Sequence, residues 1–165
     1  MGKEYTLQEA LRLAVQAEKD SMDFYRRAVS VTNNERAKKV FELLANEEVG
    51  HLKAFFEHYK GGEFGDLKTF IDSPPNKKGA TIMALEKAID EKTHEQKALE
   101  IAMKEEKATI EQYTILAQDI VDPLVKKVFD QVVKETQNHY DMIEDEYMHI
   151  MGMVDKSEQD TYVRE

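Results

Sequence analysis

Apolar residues recur along this chain at alternating spacings of three and four, the period of a helix with one buried stripe. One stripe reads Leu7, Leu11, Ala14, Glu18, Ser21, Tyr25 and Ala28; a second reads Ala37, Phe41, Leu44, Glu48, His51, Phe55 and His58. A third reads Glu95, Leu99, Ala102, Glu106, Thr109, Tyr113 and Leu116; a fourth reads Val125, Phe129, Val132, Thr136, His139, Ile143 and Glu146. Local signals set the ends of these helices. Thr6-Leu7-Gln8-Glu9 is a capping box that opens helix A. Asn33-Asn34 separates A from helix B, which is predicted to run to about Lys60, before Gly61-Gly62. Residues 61–79, with Gly65 and Pro74-Pro75, read as a loop. Helix C is predicted from Thr81 to about Ile120, its first turns free to bend away from the rest. Asp122-Pro123 caps and starts helix D, which is predicted to end near Gly152. The expected architecture is an all-α four-helix bundle over residues 1–153, with a long B–C crossover at 61–79 and a polar tail at 154–165.

The chain also contains itself twice. At an offset of 88, residues 6–59 lie over residues 94–147 without a gap. Identities include Leu11/Leu99, Ala14/Ala102, Glu18/Glu106 and Tyr25/Tyr113, then the run Lys38-Lys39-Val40-Phe41 over Lys126-Lys127-Val128-Phe129. They close with Glu47/Glu135, His51/His139 and Tyr59/Tyr147. The bundle is therefore expected to be two copies of one helical hairpin.

The stripes turn polar together at one level. Glu18, Glu48, His51, Glu106 and His139 all fall there, and no Lys or Arg occupies the stripes to neutralise the carboxylates. A buried carboxylate without a partner costs several kcal/mol even after relaxation. A divalent metal is the simplest compensation, and Glu with His suits iron, manganese or zinc. The bland alternative is a solvated face: Glu-x-x-His also occurs at Glu91/His94 and Glu146/His149, and His58, His94 and His149 read as surface residues. Only Glu48/His51 recurs in register with a Glu on the hairpin partner. Tyr25 and Tyr113 each follow a stripe Glu by seven residues, where a hydroxyl can hold a ligand carboxylate or simply pack in the core.

Composition narrows the chemistry further. With 41% hydrophobic and 34% charged residues, and only seven Gly and three Pro, the 165 residues favour long amphipathic helices. A net charge of −10 repels phosphate backbones, so no nucleic acid is expected as a partner. There is no cysteine, which excludes disulfides and thiolate metal sites. No apolar run approaches a membrane span and no signal peptide is evident, so a cytoplasmic protein without membrane contact is expected.

The combination resembles the rubrerythrin branch of the ferritin-like superfamily. In that family a Glu followed seven residues later by Tyr lies on the first helix of each hairpin, and a Glu-x-x-His lies on the second. Glu18…Tyr25 with Glu48-Val49-Gly50-His51 matches the first half, and Glu106…Tyr113 with His139 matches the second. The resemblance, over roughly residues 6–150, implies two iron ions held by Glu18, Glu48, His51, Glu106 and His139. It makes Glu18, Glu48 and Glu106 the catalytic carboxylates and places Tyr25 and Tyr113 behind the ligands. Two departures stand out. Thr136 occupies the position of a fourth glutamate, which leaves the second ion weakly held unless Glu135 rotates in. The Cys-rich electron-relay domain of rubrerythrins proper is absent.

The leading expectation is a di-iron redox protein that reduces peroxide or oxidises iron with oxygen. It would draw electrons from an external donor protein and pair as a homodimer. The alternative is a mono-metal or metal-free binding or interaction module without catalysis, which Thr136 favours. Cage-type iron storage is disfavoured, because no extra C-terminal helix is evident.

Overall fold

The computed structural model describes the backbone of residues 4–164 and the side chains of residues 4–152. Six helices follow one another among the described residues, α1 (Leu7–Val31), α2 (Glu35–Phe56), α3 (Leu67–Asp72), α4 (Ala80–Ala88), α5 (His94–Ala117) and α6 (Pro123–Arg164). There is no strand among the described residues. No helix among them is long and apolar enough to cross a membrane. The four long helices are α1, α2, α5 and α6, and the closest pairings are α1 with α2 and α5 with α6. These pairs are the two hairpins of the repeat.

The caps act as the sequence indicates. Thr6 and Glu9 form the reciprocal capping box of α1. Asn34 accepts from the Ala37 amide at 3.0 Å and starts α2. Asp122 accepts from the Leu124 and Val125 amides at 2.9 and 3.2 Å, satisfying the orphan donors of α6.

Three boundaries differ from expectation. Helix α2 stops at Phe56, four residues before Lys60, because His58 and Tyr59 bond back to Phe55 and Phe56 in a tighter turn. The predicted helix C is broken into α4 and α5. Residues 89–93 form the break: α4 folds back to pack on both α5 and α1, burying Ile82, Leu85 and Ala88, and the Arg27–Glu86 pair (2.6 Å) ties it to α1. The backbone of α6 continues past Gly152 to Arg164, since one glycine costs a helix only about 1 kcal/mol and no proline follows. The side chains of the 154–165 tail, and residues 1–3, lie outside the described residues.

The crossover is more ordered than a loop. It contains α3, whose Phe70 packs with Phe56 and Phe64. Beneath it lies Lys19, a residue of α1 outside the apolar stripe yet only 2% exposed. Its ammonium bonds Asp23 and donates to the Ser73 carbonyl at 2.9 Å, tying crossover to bundle.

The core is in two parts. One gathers Leu11, Ala14, Leu52, Phe55, Tyr113, Phe129 and Val132; the other gathers Tyr25, Ala28, Phe41, Leu44, Leu99, Ala102 and Ile143. The polar layer of the four stripes lies between them.

Candidate metal centre

Each hairpin contributes to this layer from mid-helix, where backbone hydrogen bonding holds the side chains in register. Glu18, Glu48, His51, Glu106 and His139 converge there, none more than 6% exposed. One ligand atom each from Glu18, Glu48 and His51 lie within 4.8 Å of one another, and so do those of Glu48, Glu106 and His139. Glu48 belongs to both triads and is placed to bridge them.

The imidazoles are oriented alike. The rings of His51 and His139 stack with centroids 5.3 Å apart and planes 18° from parallel. His51 Nδ1 faces Glu18 and Glu48, at 3.7 Å from each. His139 Nδ1 faces Glu48 at 3.1 Å and Glu106 at 3.7 Å. Neither Nδ1 has a hydrogen-bond partner, although both are buried. Such an orphan is costly in a buried site and is relieved by a cation. The opposite ring edges are occupied. His51 Nε2 bonds Glu135 at 2.9 Å, and His139 Nε2 bonds Glu47. Each carboxylate thus reaches across to the histidine of the other hairpin. In the neutral ring that a metal requires, an Nε2–H donated outward would leave the Nδ1 lone pair directed inward, as in a carboxylate–histidine–metal arrangement.

Sequence reasoning missed Glu47 and weighed Glu135 as a ligand. The structure does not bring Glu135 into either triad; it stands behind His51. The available signal was that Glu47/Glu135 and His51/His139 recur as pairs in the duplication. His58, His94 and His149 take no part in either triad.

The tyrosines cross over as well. Tyr25 donates to Glu106, and Tyr113 donates to Glu18 at 3.1 Å. Each hydroxyl therefore holds the carboxylate of the other hairpin, not the Glu seven residues before it. Burial, then the neighbouring carboxylates, push both phenols well above their ordinary range, so they remain protonated donors.

Without a cation the layer stores protons. Burial raises Glu18 to about 7, with the Glu106 charge adding to the shift. Burial and the Glu18 charge raise Glu48 to about 8, and burial also raises Glu106. Burial disfavours protonated His139, but the facing Glu106 and Glu48 outweigh it and raise that group to about 11. The donor set, the orphaned Nδ1 atoms and the crowded carboxylates all fit divalent metal.

The chain matches the profile of the Rubrerythrin family over residues 9–147. It belongs to that family. No curated protein and no solved structure gives a significant match. Rubrerythrins are ferritin-like helical bundles of a di-iron family, so the fold and its metal-binding character follow from membership.

Against the rubrerythrin pattern, the residue at the fourth glutamate position is Thr136. It is buried, and its hydroxyl donates to the Val132 carbonyl at 2.7 Å. A threonine supplies no carboxylate there, and that local bond turns its hydroxyl to its own helix backbone. Glu146, deeper on the same stripe, is buried too, but pairs with Arg36 at 2.6 Å.

Proposed function

We propose that the chain holds two iron ions between Glu18, Glu48, His51, Glu106 and His139. There it acts as a rubrerythrin-type peroxide reductase or iron oxidase. The observation that carries this reading is the pair of buried triads sharing Glu48, each with an unpartnered Nδ1 facing its carboxylates. Manganese or zinc would satisfy the same donors; family membership favours iron.

Bound iron would supply one-electron redox chemistry toward peroxide or oxygen. The protein's part is to prepare the position. Glu48 spans both halves. Tyr113 and Tyr25 hold Glu18 and Glu106 by one oxygen each. Two apolar layers exclude bulk water. The carboxyl protons leave as metal loads. Reduction of one hydrogen peroxide to two waters takes two electrons and two protons. A separate donor protein would supply the electrons. Two copies pairing as a homodimer complete the proposed assembly.

Anaerobic loading with ferrous iron, then stopped-flow mixing with peroxide and a reductant, tests the reading. Rapid peroxide loss is expected, slowed at least tenfold by Glu18→Ala. Equal rates in two folded proteins would end the catalytic reading.

Thr136 supports a second reading, in which the site holds a single metal and performs no catalysis. Elemental analysis of the reconstituted protein separates them: two ions per chain for the first, one for the second.

A further inference from the structure

A cleft of about 510 Å³ runs between α2 and α6 on the outside of the metal layer. Its walls include Glu47, Gly50 and Ala54 from α2, and Gln131 and Glu135 from α6. His51 also lines it, and is the one residue of the two triads that does. The clefts beside Arg27, Lys134 and Arg12 contain no triad residue. The five triad residues are buried between the two apolar layers.

Gly50 lies in mid-helix, where glycine is unfavourable. A Cβ built there would meet nothing within 4 Å, so no close packing requires the glycine. What its missing side chain does is keep the cleft open one residue from His51. The mouth is weakly acidic: Glu47 and Glu135, with side chains 44% and 42% exposed, outnumber Lys127, the one lysine or arginine among the lining residues.

We infer that this cleft is the path by which divalent cations reach the metal layer, with His51 as its movable partition. The inference rests on the metal-binding part of the proposed function. The His51 ring separates the cleft, on its Nε2 side, from the carboxylates on its Nδ1 side. Beyond ordinary packing, its Nε2 bond to Glu135 is the polar tie that the ring must break to swing into the space beside Gly50. A cation drawn to Glu47 and Glu135 then passes to Glu18 and Glu48.

The test is kinetic and uses the full chain stripped of metal. Cobaltous ion is mixed anaerobically by stopped flow, and its visible absorption reports uptake; excess chelator then reports release. Gly50→Leu fills the cleft and is expected to slow uptake and release together by tenfold or more, with ions bound per chain unchanged. Glu135→Ala frees the partition and is expected to speed release more than uptake, since the mouth also loses a carboxylate and the ring its orienting acceptor. Ala54→Leu, one turn along the same wall, is expected to slow both and replaces Gly50→Leu should that variant not fold. Unchanged rates in a folded cleft-filling variant that binds normally would overturn the inference. So would a lowered ion count at equilibrium in the cleft-filling variant, which would make the cleft part of the binding site. A wild-type chain that takes up no cobalt would instead strike the metal-binding reading itself.

Discussion

Thr136 and the glutamates around it decide how much charge the layer carries. In the proposed two-ion reading, three carboxylates against two divalent ions would leave one positive charge uncompensated. Thr136→Glu adds the fourth carboxylate three residues before His139, as Glu48 stands before His51. It is expected to raise affinity for the second ion by tenfold or more, since an uncompensated buried charge is worth a few kcal/mol. Calorimetric titration with manganous ion would read this directly; an unchanged second constant would show that the charge is balanced otherwise. Glu47 and Glu135 act at the far side of the rings. Glu47→Ala or Glu135→Ala should weaken metal binding about 10–100-fold. The matching Gln variants keep an acceptor for Nε2–H and should retain most of the affinity. If Gln behaves like Ala, the ring orientation does not depend on these bonds. The pH dependence has a definite sign. Glu18 and Glu48 titrate in the folded chain near 7 and 8, above the ordinary 4.5, so the folded state binds more protons than the unfolded one. Stability of the metal-free protein should fall as pH rises from about 4.5 through 8. His139, raised from 6.5 to about 11, extends the fall in the same direction to higher pH. Metal needs the deprotonated carboxylates, so its stabilisation should grow over the same range. Thermal melts with and without metal at pH 5.5 and 8.5 would check this, and Glu48→Gln should flatten the metal-free slope.

At the scale of elements, the crossover is where pattern and structure part. Its proline and glycine content marks it as a connection, yet α3 is anchored by a buried ion pair on α1. Lys19→Met leaves Asp23 buried without its partner and should cost about 3–5 kcal/mol. Replacing both, as Lys19→Met with Asp23→Leu, should recover most of that loss. Urea unfolding of the two single variants and the double variant gives the coupling; additive effects would show that the pair contributes nothing of its own. Lys107 aligns with Lys19 in the repeat but is exposed. The second hairpin has no crossover to cover it, so the same residue type meets opposite surroundings. Helix C divides for a similar reason: neither glycine nor proline marks residues 89–93, where α4 folds back to dock on α5 and α1.

For the whole molecule, the two hairpins complete each other. Glu18, Glu48 and His51 come from the first, but each tyrosine and each outer glutamate serves the opposite hairpin. Metal loading should therefore stabilise the bundle as one unit, raising the melting temperature as free ion exceeds its dissociation constant. Two separate transitions in scanning calorimetry would contradict this. Much of the layout was legible from the chain. The stripe period determined four helices, the repeat determined their pairing, and register put Glu18, Glu48, His51, Glu106 and His139 at one level, because a helix fixes the spacing of its own side chains. Contacts between helices were decided elsewhere. Periodicity says which residues face inward, not which of the facing helices each one meets. Hence the crossed Tyr25–Glu106 and Tyr113–Glu18 bonds, and the Glu47 and Glu135 bonds to opposite histidines, appear only once the hairpins dock. The burial of Lys19 likewise depends on where the crossover lies. Sequence determined the inventory and the level of the site; packing of one hairpin against the other decided the partners, because those contacts join residues about 80 to 100 positions apart.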